Sequence, residues 1–524
     1  MPLRPHKPTR PPALARYDHR TMATPPDPIR TDQPQAHAQA HAQRLYAQLA
    51  LRLARLIDSG ALKTGSRLPS IRELAASEGV SISTVNQALR QLEEQGLVWA
   101  KPKAGYFVRR GRRATSALAT TTPPLRSFTL EAQRRSESFA TLEQPGDRAC
   151  FGGYLPQESD LFDEERLRIA MGRASRQHRQ SLTRYNNADM GTHSLRQAVA
   201  RRALHMGCTL AADNIITTAS CTQGVSLCLQ AVTQPGDVVA LESPTYFGYI
   251  DLLEALGLRA LEIPTHPRNG ISLPALELAL DTQPVKAVLL APTLSNPLGS
   301  VMPLAHKQAL VRLLTARSLP LIEDVVFNDL LASDERRKAA KAFDADGFVM
   351  VCGSFAKTLS PGLRLGWVEA GRWRDAVANR KRLQGAATNV ILEEALADLL
   401  TQGIYEANLR RINLATRHRL KEARHIVTEH FPRGTRVSNP PVGYALWVEL
   451  PEGTDSMALF RLCAAQGITF GPGPLFTATD RYRNCLRLSL SGAWDAATQE
   501  ALAVVGQMAC RVVASMEPNQ VLAA

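Results

Sequence analysis

The stretch GSFAKTLSPGLRLGW, Gly353 to Trp367, sets one lysine among apolar and glycine-rich neighbours, with an arginine seven residues on. A lysine that works as a nucleophile must be neutral for part of its cycle, which burial or a neighbouring cation favours. Alone, Lys357 reads equally well as a surface residue that snorkels its charge to water. Its surroundings decide. Ser354 and Arg364 bracket it with a hydroxyl and a fixed cation, a pairing suited to a phosphate dianion. Upstream, TASCTQGVS (Thr218–Ser226) joins a strand to a helix, so the amides of Cys221 and Thr222 can receive the same phosphate at the helix N-terminus.

Three more segments extend the pattern. LPLIEDVVF ends a strand with Asp324, thirty-three residues before the lysine. A carboxylate in that apolar run can hold a ring nitrogen protonated, making a pyridinium an electron sink. APTLSNPLG supplies Asn296 for a phenolic oxygen, and ESPTYFGY supplies Tyr246 to stack on a ring. A lysine, a phosphate cup and an acid for the ring nitrogen together describe pyridoxal 5′-phosphate held as a Schiff base.

Around these segments, short apolar runs alternate with amphipathic helices from Phe151 onward. The runs NIITTAS, DVVALES, KAVLLAP, LPLIEDV and FVMVCGS predict a mostly parallel α/β sheet covered by helices. Residues 150–510 resemble a fold type I aminotransferase of the aspartate aminotransferase kind. The likeness rests on RYNNADMGTHSLR, TTASCTQG, ESPTY, APTLSNPLG, IEDVVF, GSFAKTLSPGLRLGW and NCLRLSLSG, in that order. It implies a large domain with a smaller α/β subdomain, and it implies roles residue by residue. Lys357 is then the lysine that bonds the cofactor, Asp324 the ring-nitrogen partner, Asn296 the ligand of the phenolic oxygen, and Tyr246 the stacking ring. Ser220, Cys221, Thr222, Ser354 and Arg364 surround the phosphate, and Tyr185 reaches the phosphate of a neighbouring subunit, which implies a homodimer. Arg487 holds an α-carboxylate in a bidentate fork. Phe327 departs from the family, which usually has a tyrosine there. Losing that hydroxyl weakens the hold on the phenolate and counts against efficient transamination more than against cofactor binding.

The net charge is +14, and it is unevenly spread: residues 1–113 carry 19 of the 62 basic residues but only 8 of the 48 acidic ones. A basic N-terminal fifth on a near-neutral body points to a polyanion partner for that fifth alone. A solvated basic tail would give the same count. Residues 1–42, ending in AHAQAHAQ, hold too few large apolar side chains to order themselves. Their histidines at i and i+4 could hold a metal, but a low-complexity tail is the expected form. Met22 offers a second start.

From residue 43 the pattern changes. Leu45, Leu49, Leu53, Leu56 and Ile57 mark one helical face. PSIRE then offers a capping box through Ser70 and Glu73, EGVS a tight turn, and Ser81 the start of a helix with Val85, Leu89 and Leu92 on its buried side. LVWA and YFV pair around KPKAG. Three helices and a hairpin in this order predict a winged helix-turn-helix over residues 43–110. The segment SGALKTGSRLPSIRELAASEGVS with the Ser/Thr-rich helix start resembles the GntR type of bacterial regulator. That resemblance places the helix from Ser81 in the major groove, with Arg72, Ser83 and Thr84 contacting DNA. Arg67, Lys101 and Lys103 then neutralise phosphates, and Gly105 lets the wing approach closely. Ile82 and Asn86 stand where this family often has arginine. A winged helix used for protein contacts is the alternative.

Residues 111–145 are polar, Thr/Pro-rich and aperiodic, and predict a linker to an aminotransferase-like domain over 146–524. The combination resembles the MocR-type regulators, which implies operator DNA and a small amino compound as partners. The mechanism this resemblance implies is that the amino compound forms an external aldimine with the cofactor and so biases the arrangement of the DNA-binding domains. Hydrophobic content of 44% with no bilayer-length apolar run, no apolar leader, and eight scattered cysteines without a CxxC pair predict a cytoplasmic protein with reduced thiols. Three classes compete: a cofactor-dependent transcription factor, a working aminotransferase with an accessory winged helix, and a regulator that has lost its cofactor. Retention of Lys357, Asp324 and Arg364 disfavours the third.

Overall fold

Ser70 and Glu73 close the capping box that their spacing offers: the Glu73 amide donates to Ser70 Oγ at 3.2 Å and the Ser70 amide to Glu73 Oε2 at 2.7 Å. The helix they start, Ile71–Glu78, stops at Gly79, whose φ of +63° a residue with a side chain adopts only under strain. Ser81 caps the next helix, Ile82–Glu94, accepting from the Thr84 amide at 3.1 Å. That helix buries Val85, Ala88, Leu89 and Leu92 against Leu49, Leu53 and Ile57 of the helical residues 45–54 and 56–57. Leu56, expected on this face, is 40% exposed because it lies off the i, i+4 line through Leu49, Leu53 and Ile57. Strands β1 (Val98–Lys101) and β2 (Gly105–Val108) then pair antiparallel with Trp99 opposite Phe107. This is the predicted winged helix-turn-helix.

This computed structural model describes residues 45–54, 56–57, 62, 65–94, 97–101, 105–108, 118–129, 148–152, 161–184, 190–331, 335–385 and 387–515. The tail expected over 1–42, Lys103 and Tyr185 lie outside them. The chain divides into two units, Met1–Arg112 and Arg113–Ala524, and the winged helix lies in the first.

The second unit is built on two sheets. The larger runs β3 (Ser127–Thr129), β7 (Arg259–His266), β6 (Val238–Ser243), β9 (Val285–Leu290), β10 (Leu321–Asp324), β11 (Val349–Ser354), β12 (Gly366–Glu369), β5 (Ile215–Thr218), with β8 (Gly270–Ile271) paired to β7. Strands β7, β6, β9, β10 and β11 are mutually parallel, and β12 runs against both its neighbours. All five apolar runs singled out in the sequence are strands here. Their side chains alternate between two buried faces. On β6, Val239 and Leu241 pack under helix Cys221–Val232, while Val238 and Ala240 pack toward helix Leu304–Ala316. The smaller sheet, β13 (Arg436–Val437), β14 (Ala445–Glu449), β16 (Cys485–Ser489), β15 (Ile468–Pro472), β4 (Ala149–Phe151), is covered by helices Ser456–Ala464 and Ala496–Ala514.

One stretch differs from expectation. Within the predicted linker 111–145, residues 118–129 are part of the second unit: β3 extends the large sheet along β7. Thr121 is tied in on both sides, its amide donating to Thr265 O at 3.1 Å and its hydroxyl to Ser243 O at 2.7 Å. Leu118 and Leu125 cover the cores beneath. Nothing in the local composition signals this, because the partners of Thr121 are 122 and 144 residues away.

Candidate functional site

Because β5, β6, β9, β10 and β11 point the same way, the loops leaving their carboxyl ends meet at one edge of the sheet, where open α/β sheets bind ligands. A cavity of about 830 Å³ opens there. Its walls include Ser220, Cys221 and Thr222 after β5, Tyr246 after β6, Asn296 after β9, Asp324 at the end of β10 and Phe327 beyond it, and Ser354 at the end of β11 with Lys357 beyond it. Arg364, before β12, and Arg487, on β16 of the smaller sheet, complete it. Residues up to 267 positions apart in sequence are thus brought together, and of the predicted cofactor and effector residues only Tyr185 is undescribed.

The base of the phosphate cup is set by close backbone approach. Ser220 caps helix Cys221–Val232 by accepting the Gln223 amide at 3.0 Å, and Gly224 N–H donates to Ser220 O. The amides of Cys221 and Thr222 have no intrahelical acceptor and remain for a ligand. Gly366 lies across this helix start, paired with Ser354 on one side and Thr218 on the other. A Cβ at Gly366 would fall 2.6 Å from the Ser220 carbonyl carbon and 2.9 Å from the Cys221 nitrogen, so only glycine fits. Arg364 holds a φ of +49°, a costly conformation for a side-chain-bearing residue of the kind found where a site fixes its geometry.

Asp324 is buried at the end of β10. Tyr249 Oη donates to its Oδ2 at 2.7 Å and the Val326 amide to its Oδ1 at 2.8 Å. Burial raises its pKa, while these donors, the Cys221 thiol and the charge of Lys357 all work the other way. The carboxylate is therefore held as an acceptor that a cationic ring nitrogen would stabilise further. Lys357 is pushed down from 10.5 to about 8, first by removal from water and then by the charges of Arg487 and Arg364. Tyr444 Oη donates to the Lys357 carbonyl at 2.5 Å and its ring packs 6.2 Å from Phe327. Phe327 thus presents carbon to the cavity, as its departure from the family's tyrosine implies.

Arg487 reaches the cavity from the smaller sheet. Its guanidinium donates to Gly152 O at 2.7 Å and to Asn296 Oδ1 at 3.5 Å, and it lies 5.2 Å from the Phe476 ring centre. An arginine so placed, with a planar fork and aromatic backing, suits a carboxylate. These residues fit pyridoxal 5′-phosphate: free helix-start amides for its phosphate, a buried carboxylate for its ring nitrogen, and a lysine already shifted toward its neutral form. Sequence reasoning missed Tyr249, Tyr444 and Gly152. Only Tyr249 left a signal, standing three residues after Tyr246 inside the same quoted segment.

In the first unit, Arg67, Arg72, Ser81, Ser83, Lys101 and Gly105 are exposed. The Arg67 side chain runs along the wing, so that a Cβ at Gly105 would lie 3.4 Å from its Nε. Thr84 is only 8% exposed, and its hydroxyl lies 2.8 Å from Ser81 Oγ. Thr84 therefore braces the helix cap.

Residues 158–505 match the family described as aminotransferase class I and II, and residues 45–108 match bacterial regulatory proteins of the gntR family. The chain is 34% identical to the HTH-type transcriptional regulator YjiR of Escherichia coli K12, over 89% of this chain and 99% of YjiR. It is 27% identical to the HTH-type transcriptional regulator TauR of Rhodobacter capsulatus, over 86% of this chain and 93% of TauR. Among solved structures it resembles LysN, the alpha-aminoadipate aminotransferase of Thermus thermophilus, complexed with N-(5′-phosphopyridoxyl)-L-leucine. That likeness has a TM-score of 0.67 at 26% identity, covering 72% of this chain and 95% of LysN.

Proposed function

The chain belongs to the MocR-type transcriptional regulators, and from that premise we propose that an amino compound carrying a carboxylate, docking in the 830 Å³ cavity, controls how it binds operator DNA. The observation that carries the reading is the convergence of Lys357, Asp324, Arg364 and Arg487 on one cavity in a chain whose other unit is a winged helix.

Bound there, pyridoxal 5′-phosphate would supply a carbonyl carbon that is electrophilic toward primary amines. The chain's own groups do the rest. Cys221 and Thr222 amides, Ser354 and Arg364 anchor the phosphate. Asp324, oriented by Tyr249 and the Val326 amide, holds the ring-nitrogen proton. Lys357, with a pKa of about 8, has an appreciable neutral fraction near pH 7.5, which would leave its amine free to act as a nucleophile. Arg487 receives the effector's carboxylate, and Asn296 beside it contacts the phenolic oxygen. A carboxylate on Arg487 would share the guanidinium with Gly152 O, the residue that follows β4 beside the smaller sheet. Two copies of the chain would present two winged helices to two half-sites.

The working-aminotransferase reading draws on the same cavity. Phe327 weighs against it, since the hydroxyl that would steady the phenolate is missing and Tyr444 spends its own on the Lys357 carbonyl. Borohydride reduction of the purified protein followed by peptide mapping tests the cofactor site. The pyridoxyl label is expected on Lys357 and absent from Lys357→Ala; a label on another lysine, or none, refutes the assignment.

A further inference from the structure

The third helix of the winged helix-turn-helix, the second of its helix-turn-helix pair, begins with a side chain that neither the core nor the cap uses. Ile82 opens helix Ile82–Glu94 and is 52% exposed. Its neighbours are committed. Ser81 Oγ accepts the Thr84 amide at 3.1 Å and lies 2.7 Å from Ser83 Oγ and 2.8 Å from Thr84 Oγ1. Val85, Ala88 and Leu89 behind it are buried. The first turn is therefore fixed, and a β-branched side chain in a helix has essentially one χ1 rotamer. Ile82 is held outward as a stiff apolar knob, with half-buried Asn86 and exposed Arg90 following it at i+4 and i+8 on the same line of the helix.

In a helix-turn-helix, the N-terminal residues of the second helix meet base edges in the major groove. The surrounding unit supplies the charge for that approach, with Arg67, Arg72 and Lys101 exposed. Isoleucine has no donor or acceptor. Of the groups displayed in the major groove, only the thymine C5-methyl is apolar. Resting on the DNA-binding reading above, we propose that Ile82 is a specificity-determining residue that packs on the 5-methyl group of one thymine in each operator half-site. Ile82 then selects T·A at that position by excluding water from the methyl, while Arg90 and Asn86 meet neighbouring positions along the groove. Burying one methyl corresponds to about a fourfold change in affinity per thymine, and to about fifteenfold when both half-sites lose it.

The test uses the full-length protein and a duplex it enriches from a random-sequence pool, footprinted at one fixed salt concentration. Each thymine in the protected region is replaced singly by deoxyuridine, which removes the methyl and leaves the pairing intact. The expected result is a loss of about fourfold at one position in each half-site for the wild type. Ile82→Ala, which loses the contact in both half-sites, is expected to bind the thymine duplex about fifteenfold more weakly and to lose nothing more on the deoxyuridine duplex. Wild-type protein that binds every deoxyuridine duplex as tightly as its parent overturns the proposal, whatever the variant does. So does an Ile82→Ala protein that keeps the full methyl response. A chain that enriches no sequence and shows no salt-dependent binding to any duplex defeats the DNA-binding reading, and the proposal with it.

Discussion

Replacing Lys357 by methionine should make the cofactor-free protein more stable at neutral pH. The lysine is shifted from 10.5 to about 8 because its charge is removed from water and faces the charges of Arg487 and Arg364. The distance between those values corresponds to about 3 kcal/mol, and solvent reaching a half-buried amine at the cavity wall reduces the measurable part to about 1–2 kcal/mol. Methionine matches the length of the stem without the charge, so packing changes little. The pH dependence has a definite sign. Below about pH 8 folded and unfolded chains both carry the proton, and the folded state bears the full penalty. Between about 8 and 10.5 the folded chain gives up the proton first, so wild-type stability rises with pH and the advantage of the variant shrinks. Above 10.5 it vanishes. Urea unfolding of both apoproteins, followed by tryptophan fluorescence from about pH 6 to 11, measures this. The amine should also react with an acylating reagent with a midpoint near pH 8, where an ordinary lysine is about 1,000 times less reactive at pH 7.5 than at its plateau. A stability difference independent of pH, or an acylation midpoint near 10.5, refutes the reasoning.

Three other outcomes follow from named contacts. Gly366→Ala places a methyl 2.6 Å from the Ser220 backbone, so the phosphate cup must shift; cofactor affinity should fall at least about tenfold by equilibrium dialysis, with DNA binding by the apoprotein unchanged. Tyr249→Phe removes the 2.7 Å donor to Asp324 Oδ2 and leaves that buried oxygen short of a partner, so the cofactor-free protein should lose about 1–3 kcal/mol of stability by urea unfolding at about pH 7.5, a loss that shrinks as Asp324 is protonated in acid. Arg487→Lys should retain the visible absorbance of pyridoxal 5′-phosphate bound at Lys357 and weaken the spectral response to carboxylate-bearing amines about ten- to hundredfold, while the response to simple amines is little changed.

Much of the site was legible because its chemistry is concentrated in short segments. Ser354, Lys357 and Arg364 lie within eleven residues, and Asp324 is the last residue of the otherwise apolar strand end LIED, next to Glu323. The parallel strands were readable for the same reason: runs such as VVALES are buried on both faces and carry no polar alternation. What was not legible depends on chain separation. Tyr444 reaches the Lys357 carbonyl across 87 residues and Arg487 reaches Gly152 across 335, and no local pattern encodes either contact. Residues 118–129 look like linker because Thr and Pro there satisfy turn and edge-strand chemistry equally well, and the decision is made by β7. The burial of Thr84 was not legible because helical spacing shows which residues share a face but not how deeply the cap draws one of them in.

The central claim, that occupancy of the cavity and DNA binding are one coupled equilibrium, is tested most directly by a single titration. Full-length holoprotein on a fluorescently labelled operator duplex is titrated with an amino acid that alters its spectrum, with cofactor absorbance and DNA anisotropy recorded in the same cuvette. The two signals are expected to change together with a common midpoint, and by reciprocity the duplex must shift the amino acid's affinity by the same factor by which the amino acid shifts the duplex's. A complete change in absorbance with no change in DNA affinity would contradict the account.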